Sequence, residues 1–199
     1  MGAINTLGTA LAISSLTIAM YGCSGQNNSL SAPQTIKAAS AEQTDKNAIE
    51  LTPIDSLTIS DYSLEVCIKN TGRKYIEEIN ALICNNKGIQ YLDGIEKLTE
   101  LKTLHLNFNK IEDINPLVEL KKLNILYLSG NQLQDLEPLS ALVQLTELAI
   151  QKNGIQDLSP LQNLSTLKTL HARSNKIYDF SILSELNLDV LSGQNQQES

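Results

Sequence analysis

Between residues 98 and 163 the chain repeats itself every 22 residues, and this period limits its fold more than any other feature. Leu98, Leu101, Leu104, Leu106, Asn109, Ile111, Asp113, Ile114, Pro116 and Leu117 recur as Leu120, Leu123, Leu126, Leu128, Asn131, Leu133, Asp135, Leu136, Pro138 and Leu139. They recur again as Leu142, Leu145, Leu148, Ile150, Asn153, Ile155, Asp157, Leu158, Pro160 and Leu161. A fourth copy from Leu164 keeps Leu167, Leu170, Asn175, Ile177 and Asp179 but places Ile182 where proline stood. A looser copy starts at Ile76, with Lys87 at the asparagine position, and a partial one starts at Leu186. Five full repeats (from 76, 98, 120, 142 and 164) plus a fragment therefore fill residues 76–195. A fixed period of this length means stacked coils in which each repeat covers its neighbours.

The spacing inside one repeat sets the shape of the coil. Leu-x-Leu reads as a short strand with both leucines inward and the residue between them outward. The chain must bend after it, which leaves backbone groups unpaired in the interior. Asn109, Asn131, Asn153 and Asn175 stand at that bend, and an amide offers both donor and acceptor to fill the gap. These asparagines are read as structural. Asp-Ile-x-Pro-Leu then closes the coil as a short helical or 3-10 turn, with proline suited to its start. The Asp113, Asp135, Asp157 and Asp179 ladder recurs with the fold, so it is read as architectural.

Four further segments flank the array. Residues 1–22 carry an uncharged apolar stretch ending at Gly22-Cys23, which reads as a lipoprotein-type signal with Cys23 as the lipidated residue. Its run at 7–20 is shorter than the ~20 residues a spanning helix needs. No Lys or Arg precedes Lys37, and Tyr21 is bulky. An uncleaved anchor, a soluble secreted form and a misplaced start codon remain as alternatives. Residues 23–54 read as a flexible polar tether. Residues 55–75 read as a helical N-terminal cap, with Leu64, Cys67 and Ile68 on one face, Asp61 as N-cap and Gly72 as terminator. Residues 196–199 form a polar tail. Setting Cys23 aside leaves Cys67 and Cys84, a pair that export would oxidise to a disulfide pinning the cap to the array; two buried free thiols are the alternative.

Asn-x-Ile-x-Asp-Ile-x-Pro-Leu, as in residues 109–117, resembles the 22-residue bacterial leucine-rich repeats of the internalin type. The Cys67 cap followed by Cys84-Asn85-Asn86-Lys87-Gly88-Ile89 is similar to small leucine-rich-repeat lipoproteins of Gram-negative bacteria. The resemblance implies a right-handed, curved α/β solenoid, with short parallel strands on a protein-binding concave face and short helical turns on the convex side. No immunoglobulin-like module or wall anchor follows the array, so host-cell invasion is not carried over.

The outward positions define where a partner would touch. Between the paired leucines the column reads Ile83, His105, Tyr127, Ala149, His171 and Leu191. The column before it reads Ala81, Thr103, Ile125, Glu147, Thr169 and Asp189, and the column after it Asn85, Asn107, Ser129, Gln151, Arg173 and Gly193. His105, Tyr127, Glu147, Gln151, His171 and Arg173 are the expected partner-binding residues, with Tyr127 an amphipathic anchor and Arg173 a charged fork. His105 and His171 lie three repeats apart, roughly 14 Å at ~4.8 Å per strand, too far to share one metal ion. The face spans roughly 350 Å², under half the ~800 Å² of a standard interface. It suits a peptide or a modest protein contact.

A formal charge of −7, from 15 basic and 22 acidic residues, argues against nucleic acid. No nucleophile elbow, phosphate loop or reactive carboxylate pair points to catalysis, and nothing calls for a cofactor. The reading is a monomeric, non-enzymatic protein-binding module, exported and anchored in the envelope membrane by its lipid. A structural envelope component without a discrete partner is the alternative, and a cytoplasmic repeat protein resembling phosphatase regulators is the weaker one.

Overall fold

Each repeat places a three-residue strand at the same point of its period. The computed structural model describes residues 50–193, so the expected signal at 1–22, lipidation of Cys23, nearly all of the tether and the tail lie outside the described residues. Six strands, β1 (Ala81–Ile83), β2 (Thr103–His105), β3 (Ile125–Tyr127), β4 (Glu147–Ala149), β5 (Thr169–His171) and β6 (Val190–Ser192), form one parallel sheet in sequence order. From β1 to β5 the partners are 22 residues apart, as in Leu82, Leu104, Leu126, Leu148 and Leu170. The opposite side of each coil carries a 3-10 turn, including Asn115–Glu119, Glu137–Ala141 and Ser159–Leu161, each with proline in its first turn.

The apolar columns meet between these two sides. Leu98, Leu120, Leu142 and Leu164 are wholly buried, as are Leu101, Leu123, Leu145 and Leu167. Stacking is what buries them, since a single coil leaves its inward leucines uncovered at both ends.

Asparagine satisfies the bend as the sequence implies. Asn131 Oδ1 accepts from Ile111 N at 3.1 Å, and its Nδ2 donates to Leu106 O at 3.0 Å and Leu128 O at 2.8 Å. Asn109 accepts from Lys87 N and Ile89 N and donates to Cys84 O and Leu106 O. Asn153 and Asn175 bridge their own coil to the preceding one in the same way. The aspartates act locally. Asp113, Asp135, Asp157 and Asp179 each accept the backbone N–H two residues on, opening the 3-10 turn.

The first strand is covered by helix α1 (Tyr62–Lys69), whose buried face is Leu64, Cys67 and Ile68. Asp61 Oδ1 caps it through Ser63 N and Leu64 N, while Oδ2 accepts from Gln90 N and Tyr91 N in the first repeat. One carboxylate thus starts the helix and ties it to the array. Burial opposes its ionisation, but the backbone donors, Gln90 foremost, outweigh this and hold the Asp61 carboxyl below its usual range. Gly72, at φ +69, turns the chain away after the helix. A Cys67–Cys84 disulfide joins α1 to the residue that follows β1.

Two details depart from the sequence reading. Order begins before residue 55: Pro53 bridges Tyr75, Ile54 N donates to Lys74 O, and Ile54 is buried. The apolar Ile54 draws the end of the expected tether onto the core. The last strand is also out of the 22-residue step, because Thr169 pairs with Val190 and His171 with Ser192. Leu186-Asn187-Leu188 has one residue fewer than Leu164-Ser165-Thr166-Leu167, so every later position moves forward by one. Leu191 therefore falls opposite the inward Leu170 rather than in the outward column, although it stays 46% exposed.

Candidate protein-binding face

Alternation along the strands sends their first and third residues to the open face of the sheet. The second residue of β1 to β5 is buried throughout, which fixes the outward set as Ile83, His105, Tyr127, Ala149 and His171 with Ala81, Thr103, Ile125, Glu147 and Thr169. The sequence columns for β1 to β5 are the observed ones.

Three of the expected contact residues form one assembly. The His105 and Tyr127 rings stack with centroids 4.3 Å apart and planes 17° from parallel. The Tyr127 hydroxyl donates a hydrogen bond to Glu147 Oε1 on the neighbouring strand. That bond, followed by burial, pushes the Tyr127 phenol up to about 12, since ionising it would lose the bond and set a phenolate beside a carboxylate. Burial pushes the His105 imidazole down, and the Glu147 charge opposes this in part.

The neighbouring ground is a depression of about 370 Å³ lined by Asn107, Phe108, Tyr127, Ser129, Glu147, Ala149, Gln151 and His171. Ala149 is its floor, only 8% exposed although it points outward. Of the six expected residues, Tyr127, Glu147, Gln151 and His171 line it. His105 buttresses Tyr127 from the far side, and Arg173 is exposed beyond the lining. His105 and His171 are separated by β3 and β4.

Phe108 was not among the expected contacts. It follows Asn107 at φ +57, matching Asn86, Gly130, Lys152 and Ser174 in the other coils. Asparagine and glycine tolerate this left-handed turn, whereas a phenylalanine there is strained and 57% exposed. Its ring lies across Gly130, where an added Cβ would sit 2.6 Å from Phe108 Cδ1. The signal was in the sequence: a large aromatic in a column otherwise polar or glycine. Two outward residues serve the fold instead. Asn85 Oδ1 accepts from Asn107 N and Asn107 Oδ1 from Ser129 N, each at 2.8 Å, linking successive turns.

The family description "Leucine Rich repeats (2 copies)" matches residues 79–119 and 121–163. An internalin of Listeria monocytogenes is 30% identical, with a TM-score of 0.64 over 76% of this chain. Residues 79–119 and 121–163 are leucine-rich repeats, and the chain is similar to internalin-type proteins in sequence and fold. A leucine-rich-repeat protein of Leptospira interrogans is also 30% identical over 61% of the chain, with a TM-score of 0.51. The chain spans 48% of that internalin and 32% of the Leptospira protein. No curated protein sequence matches it. On this chain the open sheet face carries one aromatic and acidic cluster.

Proposed function

We propose that the protein is a non-enzymatic recognition module of the cell envelope, held to the membrane by lipid on Cys23 and binding a protein or peptide on its open sheet face. The observation that carries the binding site is the Tyr127 assembly. A half-buried tyrosine braced by a stacked histidine and a carboxylate is a pre-oriented anchor, and pre-orientation lowers the ordering cost of a contact. The Cys67–Cys84 disulfide supports export, because such bonds persist in oxidising compartments. The apolar 7–20 run and Gly22-Cys23 supply the address and the lipid acceptor.

Affinity capture from envelope extracts tests the site. Wild type is expected to retain a reproducible partner that Tyr127→Ala and Arg173→Glu lose while keeping their far-UV circular dichroism. Capture unchanged by both substitutions sinks the open-face site. A labelled fatty acid tests the anchor: wild type incorporates it and Cys23→Ala does not, whereas an unlabelled wild type refutes lipidation.

A further inference from the structure

Glu147 is the single formally charged residue among the outward strand positions of the described residues. Its carboxylate accepts the Tyr127 hydroxyl on Oε1 and makes no ion pair among the described residues, whose ion pairs are Lys69–Glu65 and Lys122–Glu100. The same carboxylate lines a depression floored by Ala149, whose methyl leaves a gap between the Tyr127 and His171 side chains. Phe108 stands at the rim, held there by its left-handed backbone and by Gly130 beneath the ring.

We propose that the notch over Ala149 receives a lysine or arginine side chain of the partner protein, its stem between Tyr127 and His171 and its cationic head on the Glu147 carboxylate. This deepens the functional reading above and rests on it. The chemistry selects the cation. An acidic side chain is repelled by Glu147. An apolar one strips water from the carboxylate without replacing it, which costs free energy. A basic one keeps the carboxylate paired, packs its methylenes on the alanine floor and sets its charge against aromatic faces. Discrimination therefore comes from penalties on wrong occupants as well as from attraction. The chain's net charge of −7 favours the same class of partner at longer range.

The test is a nuclear magnetic resonance titration of the purified, oxidised protein with N-acetyl-arginine amide and N-acetyl-lysine amide. N-acetyl-norleucine amide and N-acetyl-glutamate amide serve as controls. Saturable shifts are expected at Tyr127, Ala149 and His171, with the cationic probes about tenfold tighter than norleucine. Glu147→Gln, which keeps an acceptor for Tyr127, removes that preference. Ala149→Leu, which fills the gap and leaves the charge, abolishes the shifts. Equal response to norleucine or glutamate, no saturable response to the cations, or an unchanged preference in Glu147→Gln overturns the proposal. Partner capture separates the two readings. If Tyr127→Ala loses the partner and Glu147→Gln keeps it, the open face stands and the cation notch falls; if Tyr127→Ala and Arg173→Glu both keep it, the open-face site falls as well.

Discussion

Asn131→Ala tests the claim that asparagine holds the coils together. The side chain is almost wholly buried and makes three hydrogen bonds, to Ile111 N, Leu106 O and Leu128 O. Two of these groups belong to the preceding coil; the substitution leaves Ile111 N there unpaired, while Leu106 O keeps Asn109 Nδ2 and Leu128 O keeps Asn153 Nδ2. An unmatched buried donor or acceptor costs about 1–3 kcal/mol, and a carbonyl that keeps another partner costs less. One unpaired donor and two acceptors that each keep one partner give a loss of roughly 2–4 kcal/mol. Gln132→Ala, one residue on and on the surface, is expected to cost about 0.5 kcal/mol or less. The assay is urea unfolding followed by far-UV circular dichroism. If coils unfold separately, the loss appears as a lower first transition rather than a uniform shift. Asn131→Asp adds a check on the chemistry: the carboxylate keeps the acceptor for Ile111 N but meets two carbonyls, so the variant is expected to regain stability on acidification. A cost under about 1 kcal/mol for Asn131→Ala would refute the idea that unpaired backbone at the bend is what the asparagine column prevents.

Other consequences follow from single contacts. Converting Cys67 and Cys84 together to serine is expected to cost about 3 kcal/mol, from the 17-residue separation the bond closes, with α1 losing hydrogen-exchange protection before the repeats do. Asp61→Ala is expected to cost roughly 1–2 kcal/mol, the value of an N-cap with further backbone ties. Because the folded-state pKa of Asp61 lies below its ordinary 3.8, its contribution is complete above that value and lost as pH falls through the folded one. The wild-type advantage over Asp61→Ala should therefore shrink only in acid below about pH 4, and an advantage independent of pH there would contradict the assignment. In an alkaline titration Tyr127 should ionise near 12, and Glu147→Ala, which removes the acceptor, should return it toward 10. Ordinary titration in wild type would deny the hydrogen bond. Gly130→Ala, at φ +70 and with its new methyl against Phe108, should move that ring and destabilise the turn by about 1 kcal/mol or more, whereas Gly88→Ala, at φ +75 with open space around it, carries only the backbone cost.

How far the sequence reaches depends on whether a feature repeats. The register of β1 to β5, the Asn109 and Asn131 contacts and the aspartate turns all follow from one period, since each position meets the same surroundings in every coil. The Asp61 cap was also legible, though not its second grip on Gln90 and Tyr91, which needs the helix placed against the first repeat. Legibility fails where the period breaks. Leu188 and Leu191 still look like repeat leucines; the short Leu186–Leu188 spacing is in the sequence, and the pairing of His171 with Ser192 shows its effect on the register. The site was legible as columns but not as an assembly. Tyr127 and Glu147 stand in different columns on adjacent strands, and their bond depends on how the tyrosine leans along the sheet. Asn107 does both: it lines the depression, and its Oδ1 accepts from Ser129 N to link two turns.

The central claim is that the open sheet face, and not the 3-10 side, meets the partner. Photocrosslinking in cells from a photoreactive residue placed at Ser129, beside the Ala149 notch, or at Val143, exposed near the 3-10 turn Glu137–Ala141, tests it most directly. One reproducible adduct is expected from position 129, lost on adding Tyr127→Ala, and none from position 143. An adduct from position 143 alone, or equal adducts from both that survive Tyr127→Ala, would contradict it.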